Sequence, residues 1–127
     1  MGRYYSGDIE GKFWFAVQGS TNADRFGRPY YEPSYVEYYY DNEALPDIKR
    51  GIQKILDNLG DYKEAFDEFF EKNNGYNDQM LNDFFKEKKM NTSDLKYLLE
   101  EYADLELGRK IEKCVEEYYE CSFQAEL

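Results

Sequence analysis

The sequence contains no histidine, and this absence removes the most common general base and the most common metal ligand of proteins. Neither cysteine therefore has a histidine partner that would activate it as a nucleophile, and no serine stands in a nucleophile-elbow sequence. Phosphate-binding loops and dinucleotide-binding fingerprints are also absent, because the glycines near the N-terminus have the wrong spacing. We therefore expect a protein that is not an enzyme and that uses no cofactor or metal. The enzymatic alternative is a carboxylate-only site built on Asp8, Glu10 and Glu37.

Long hydrophobic runs and cysteine-rich spacing are missing as well. No apolar run approaches the roughly 20 residues that a membrane-spanning helix needs, and the N-terminus lacks the basic-then-apolar order of a signal peptide. Cys114 and Cys121 are too few for a disulfide framework, and two turns of one helix would separate them by roughly 10 Å. We expect a cytoplasmic protein that makes no membrane contact and keeps both thiols reduced.

Acidic and aromatic side chains are in excess, and the two are distributed unevenly. The formal net charge is −11, and 19% of the residues are aromatic. Residues 1–40 hold 12 of the 24 aromatic residues with four basic and five acidic side chains, whereas residues 41–127 hold 12 basic and 22 acidic ones. The length of 127 residues suits a single domain, with an aromatic β region at 1–40 and an acidic helical region at 45–120.

Alternating patterns predict strands near both ends of the chain. Residues 12–18 and 34–40 are rich in aromatic and β-branched side chains and are predicted strands, and residues 4–8 favour a hairpin before the first of them. Residues 19–33 form a long connection, and connections of this length inside a compact domain more often have a function than serve only as links. Residues 121–127 alternate in a way that favours a closing strand of the same sheet, with a frayed helical end as the alternative.

A helical period begins at Leu45 and predicts about five helices. The first helix ends at Gly60, the second ends at the turn of residues 73–75, and Asn77 caps the third. Gly108 is expected to bend the chain between the fourth and fifth helices. The predicted class is therefore α+β, in which a small antiparallel sheet packs against about five helices.

The acidic helices offer the first candidate binding surface. Dense negative charge over several helical turns can imitate a phosphate backbone and occupy the basic groove of a nucleic-acid-binding protein. The alternative without a binding role is a solvated face of amphipathic helices, since charge runs of this kind are common on such faces. The candidate residues of this acidic surface are Glu64, Asp67, Glu68, Glu71, Glu100, Glu101, Asp104 and Glu106.

The long connection offers the second candidate site. Guanidinium groups grip phosphates in bidentate fashion and aromatic rings stack on bases, so basic and aromatic residues together can hold a small nucleotide. The alternative is that these arginines pair with neighbouring carboxylates and the tyrosines pack on the sheet. Net negative charge argues against direct binding of long nucleic acid. The candidate residues of this pocket are Arg3, Trp14, Arg25, Arg28, Tyr30 and Tyr31.

The N-terminal stretch resembles the N-terminal part of small proteins encoded by phages and large viruses. The resemblance is carried by RYYSGDIEGKFWFAVQ at residues 3–18 and ADRFG at residues 23–27. It implies a viral accessory protein, a class that includes small acidic inhibitors of host defence, such as anti-CRISPR proteins, and sponges for immune nucleotide signals. It carries no functional residue over to this chain.

Two hypotheses for function follow. The leading one is a non-enzymatic binding protein, a phage-type inhibitor that presents an acidic, tyrosine-rich surface to a basic, nucleic-acid-binding host protein in the host cytoplasm. The alternative is a sponge that sequesters a small linear or cyclic nucleotide in the arginine and aromatic pocket, including a pocket shared across a homo-oligomer interface.

Overall fold

An antiparallel sheet covered on one face by helices makes up the part of the chain that the computed structural model describes, residues 3–14 and 17–127. Its strands are β1 (Tyr4–Gly7), β2 (Gly11–Lys12), β3 (Pro29–Tyr31), β4 (Tyr35–Asp41) and β5 (Glu120–Glu126). Its α-helices are α1 (Leu45–Leu59), α2 (Tyr62–Lys72), α3 (Asp78–Glu87) and α4 (Leu95–Tyr118), and short 3-10 helices cover Asn22–Phe26 and Asn42–Ala44. The predicted α+β class is confirmed.

The sheet has the strand order β2-β1-β5-β4-β3, so the C-terminal strand lies in the middle. Strand β5 pairs with β1 on one side and with β4 on the other, and Tyr38 lies opposite Phe123. Alternate residues of β4 and β5 are buried, as the period of a one-sided strand requires. The predicted closing strand and the hairpin of β1 and β2 are both confirmed. The inward side chains of the two longest strands are Val36, Tyr38, Tyr40, Cys121, Phe123 and Ala125.

The predicted strand over residues 12–18 is correct at Lys12 and wrong for the described residues after it, 13–14 and 17–18. Strand β2 ends at Lys12, and the chain then turns, because the backbone N–H groups of Val17 and Gln18 both donate to the Trp14 carbonyl. The Gln18 side chain closes the turn by accepting from the Trp14 N–H at 2.9 Å. Phe15 and Ala16 lie outside the described residues.

The predicted bend at Gly108 is also wrong, since α4 is continuous and replaces the expected fourth and fifth helices. The glycine instead leaves room for a ring. A Cβ atom on Gly108 would lie 2.6 Å from Cζ of Phe26, and one on Gly51 of α1 would lie 2.9 Å from Cδ1 of the same ring. Phe26 is 1% exposed, so the 3-10 helix that carries it is locked between α1 and α4.

The connection at residues 19–33 is ordered rather than a plain loop. It holds the 3-10 helix Asn22–Phe26 and the edge strand β3, which pairs with β4. The 3-10 helix packs on α1 and α4, and this packing brings the segment across the helical layer.

Candidate functional site

Arg25 is a predicted ligand-binding residue, but its side chain forms ion pairs with two buried carboxylates of α4. Its guanidinium lies 2.5 Å from Glu101 and 2.7 Å from Asp104. These two carboxylates are 4% and 2% exposed, so they are not part of an accessible acidic surface. The predicted surface position is therefore wrong for Glu101 and Asp104, and Arg25 is engaged by both of them. The physical reason is that a carboxylate is buried only when it is paired and hydrogen-bonded.

Amide side chains complete this buried network. Gln18 and Asn22 donate to Asp104 at 2.7 Å and 3.0 Å, and Asn58 of α1 donates to Glu101 at 2.7 Å. Asn22 also donates to Glu100, which is half-buried at the rim. The network joins the turn before the 3-10 helix to α1 and α4, and its role is to fix that segment in place.

The two carboxylates of the network have opposite pKa shifts. Burial alone would raise the pKa of Glu101, but hydrogen bonds from Arg25 and Asn58 outweigh it and lower the pKa. Burial is stronger at Asp104 and raises its pKa despite the hydrogen bonds that it accepts. Burial would lower the pKa of Arg25, and the bonds to both carboxylates raise it instead. The guanidinium is therefore a cation whose Nη1 and Nη2 groups are held by these two carboxylates.

The remaining residues of the predicted nucleotide pocket do not converge. Trp14 packs against Phe70, Tyr76 and Tyr102 in the helical layer, with ring centroids 5.3–6.3 Å away. Tyr31 donates to the carboxylate of Asp24, and Arg3, Arg28 and Tyr30 are exposed at the sheet. The structure therefore does not assemble the six residues into one pocket.

The rest of the predicted acidic surface is divided by basic partners. Asp67 lies 2.6 Å from Lys63, and Glu68 lies 3.2 Å from Lys72 and 2.6 Å from Lys88. Hydrogen bonds from the two lysines lower the pKa of Glu68, as expected for an ion-paired carboxylate. The members that stay exposed are Glu64, Glu71 and Glu106. Four of the eight predicted residues are therefore buried or paired with lysines, namely Asp67, Glu68, Glu101 and Asp104.

The outer face of the sheet is the most distinctive open surface among the described residues. It arises because strand residues alternate between faces, so the neighbours of the buried Tyr5, Val36 and Tyr38 point away from the helices. The register aligns Tyr30, Glu37, Gln124 and Ser6 in one row across four strands. We call this surface the tyrosine face, and it consists of Tyr4, Ser6, Tyr30, Tyr35, Glu37, Tyr39, Ser122 and Gln124.

The tyrosines of this face are exposed. The exposed fraction is 63% for Tyr30, 53% for Tyr4 and 48% for Tyr39, and Tyr35 is half-buried. Tyrosine and other aromatic residues are enriched at protein interfaces, where their rings supply contact area and their hydroxyls supply hydrogen bonds. The alternation in residues 34–40 was the sequence signal for this face, although the pattern alone does not show which side the helices cover.

The charges around the tyrosine face are mostly negative. Tyr39 donates a hydrogen bond to Glu120 at 3.2 Å, and that bond raises the pKa of the Tyr39 hydroxyl. Arg28 lies at the β3 side with its guanidinium 4.0 Å from Asp41. The charged residues on or beside this face are Arg3, Lys12 and Arg28 against Asp8, Glu37, Asp41, Glu120 and Glu126.

Residues 3–14 and 17–127 also bear on two further classes of site, metal centres and membrane-spanning helices. No group of three or more metal-ligating side chains comes together there. None of the helices in this range combines the length and the apolar character needed to cross a membrane. Comparison with known protein families, curated proteins and solved structures finds no match for this chain.

Proposed function

We propose that this chain is a non-enzymatic binding protein that docks a basic protein surface on its tyrosine face. The observation that supports the proposal most directly is the row of outward side chains across β3, β4, β5 and β1, in which Tyr30 is 63% exposed and Glu37 is half-buried. Such a rigid face presents tyrosine rings at low entropic cost, because the strands already fix the backbone.

Charge favours a basic partner. Five carboxylates and three cations lie on or beside the tyrosine face, and the whole chain has a net charge of −11. Complementary charge at an interface steers the encounter and selects against wrong partners. The same negative charge argues against stacking of a nucleic acid on these rings, since each phosphate would approach carboxylates rather than lysines or arginines.

A second copy of the chain fits this face less well. A two-fold dimer through the tyrosine face would bring Glu37, Glu120 and Glu126 of one protomer toward the same residues of the other. Like charges placed across an interface cost binding free energy. A basic partner removes this cost and leaves the tyrosines to supply the apolar contact.

The kind of partner suggests the effect of binding. Basic surface patches are typical of proteins that bind nucleic acids. A partner whose basic patch is covered by this chain loses access to phosphates, so we propose inhibition of a nucleic-acid-binding protein. The phage-type inhibitor of host defence that the N-terminal resemblance implies stays a prediction.

The test compares capture by the wild type and by two variants. The protein is immobilised, a lysate of its native host is passed over it, and the captured protein is purified and titrated by calorimetry. In the double variant Tyr30→Ser with Tyr39→Ser, we expect the affinity to fall by about tenfold or more, as for central interface tyrosines. We also expect the captured protein to be basic and the affinity to fall with rising salt.

The matched control removes an exposed tyrosine ring from the helical layer instead of from the sheet. Tyr97 is 56% exposed on α4, so Tyr97→Ser removes a comparable ring from the other side of the molecule. A third variant, Glu64→Lys with Glu71→Lys, reverses exposed charges of α2. If the sheet variant kept its affinity and the α2 variant lost binding, the tyrosine face would not be the docking surface. The acidic helices would then be the binding surface instead.

A further inference from the structure

A cleft beside Trp14 adjoins the tyrosine face at Lys12, but none of its aromatic residues belongs to that face or to the Arg25 network. It has a volume of about 770 Å³ and lies between the turn after β2 and the connection from α2 to α3. Small-molecule sites are typically apolar clefts of ~300–1,000 Å³ with a few polar groups at the rim. This cleft has the size and the composition of such a site.

Three half-buried aromatic rings form its walls. The Phe70 ring stands at 72° to Trp14 and at 90° to Tyr76, with centroid distances of 5.3 Å and 5.9 Å. Trp14 and Tyr76 are 6.3 Å apart and tilted by only 32°. The three rings therefore contact one another as one aromatic cluster, and the cleft lies over its accessible side.

The walls are held from behind by the helical layer. Phe70 stacks on Tyr102 of α4 at 5.6 Å with an angle of 12°, and Trp14 contacts the same tyrosine at 6.2 Å. Tyr102 donates to Asp67 of α2 at 2.8 Å, which fixes its ring. A site whose rings are already held in place loses little side-chain entropy when a ligand binds.

The rim charges select the ligand. Lys12 and Asp78 both line the cleft, so it has one cation and one anion. A net charge of either sign on a ligand is attracted by one of these side chains and repelled by the other, so together they offer little net attraction to it. Asn74 and Asn77 add amide donors and acceptors at the same rim. The rim therefore favours a neutral or zwitterionic molecule.

We propose that this cleft binds a neutral or zwitterionic ligand through one flat aromatic ring. The ring packs on the accessible side of the cluster of Trp14, Phe70 and Tyr76, and the polar part of the ligand faces the asparagines, Lys12 and Asp78. A free small molecule and an aromatic side chain within a peptide share this chemistry. The proposal does not depend on the tyrosine face, because none of the three wall residues belongs to it.

Trp14 is the only tryptophan of the chain, so its fluorescence reports on the cleft directly. Two neutral probes that do not absorb at the excitation wavelength are titrated. Benzamide stands for a free small molecule, and N-acetylphenylalaninamide stands for a side chain within a peptide. We expect saturable quenching or enhancement with at least one of them, and the tighter probe identifies the source of the ring.

Tetramethylammonium and benzoate are the charged arms of the same titration. We expect both to bind more weakly than the neutral probes. Saturable binding of tetramethylammonium alone would overturn the assignment, because it would indicate a site for a cation on the aromatic rings instead of a site for a neutral ring. The absence of saturation with all four probes would overturn the proposal itself.

Variants locate the binding. Tyr76→Ser removes one wall and is expected to weaken the neutral probe by about fivefold, in line with the energy of one aromatic contact. Tyr97→Ser is the matched control and is expected to leave the affinity unchanged. Should Tyr76→Ser fail to fold, amide and indole NMR shifts of the wild type serve instead. Probe-induced shifts centred on Trp14, Phe70 and Tyr76 support the cleft, and shifts centred elsewhere contradict it.

Discussion

The guanidinium of Arg25 and the carboxylate of Asp104 lie 2.7 Å apart, although 79 positions separate the two residues in the sequence. The contact joins the 3-10 helix Asn22–Phe26 to the middle of α4, where Asp104 is 2% exposed. It explains how a sequence with so many carboxylates buries two of them, since one arginine and three amides satisfy them.

Removal of the cation is expected to destabilise the fold strongly. In Arg25→Met, Glu101 and Asp104 stay buried without a counter-charge, and breaking a buried pair costs ~3–5 kcal/mol. We expect the free energy of unfolding in urea to fall by about 3 kcal/mol, the lower end of that range, because the Arg25 side chain is partly exposed. The control is Arg50→Met, which breaks an exposed pair with Asp47 and should cost less than about 1 kcal/mol. Equal losses in the two variants would contradict the role of the network.

The cost of Arg25→Met is expected to depend on pH. In the wild type the pKa of Glu101 is below its ordinary value of 4.5, so this residue stabilises the fold above that pH and loses the contribution as the pH falls through its lowered pKa. Without Arg25, burial raises the pKa of Glu101, and the already raised pKa of Asp104 rises further.

The folded variant therefore holds more protons than its unfolded state in the pH range above the ordinary values of 3.8 and 4.5. Its stability rises as the pH falls from 7, and the difference from the wild type narrows toward pH 5. Urea titrations of both proteins at several pH values measure this difference. If the difference in the free energy of unfolding stayed constant or widened from pH 7 to pH 5, the carboxylates would not be both charged and buried in the variant.

The contact between Phe26 and Gly108 predicts that Gly108→Ala destabilises the wild type but does not destabilise a Phe26→Leu variant. Gly108→Ala places a Cβ atom 2.6 Å from the Phe26 ring, and overpacking of this kind costs ~1–3 kcal/mol. In a Phe26→Leu background the ring atoms are gone, and the helix preference for alanine, worth ~1 kcal/mol, makes the same change neutral or stabilising. Gly75→Ala, which meets nothing within 4 Å, is the control. Thermal unfolding of the four proteins of this cycle tests the coupling.

The two thiols are expected to be inert in the folded protein. Cys114 and Cys121 are free and buried, and burial together with the neighbouring Cys114 thiol raises the pKa of Cys121. The expected separation of two helical turns is wrong, because α4 ends at Tyr118 and the chain reverses into β5 through Tyr119 at φ 68°. Labelling with iodoacetamide should be slow in buffer and fast in urea. Fast labelling of either thiol in buffer would contradict the packing of β5 on α4.

The sequence was most informative where one face of an element meets the core. The alternation that ends in Tyr38 and Tyr40 predicted β4, and the stripe from Ile48 to Leu59 predicted α1, because burial imposes the period directly. The same reasoning failed at residues 12–18, where the turn depends on bonds that Gln18 makes to Trp14 and to Asp104. A period contains no information on such side-chain bonds.

The candidate site was predictable only in part. Tyr30 and the acidic helices were singled out by composition, and composition does not reveal which carboxylates are buried. Glu101 and Glu106 look alike in the sequence, yet the first is paired with Arg25 and the second is exposed. Their difference depends on a partner 76 residues from Glu101 and therefore on the tertiary fold.

The most direct test of the tyrosine face is hydroxyl-radical footprinting of this protein with and without its captured basic partner. The tyrosine face as docking surface predicts that oxidation of Tyr4, Tyr30 and Tyr39 slows in the complex, while the exposed Tyr97 on α4 reacts at its free rate. Protection of Tyr97 with no change at Tyr30 and Tyr39 would contradict it.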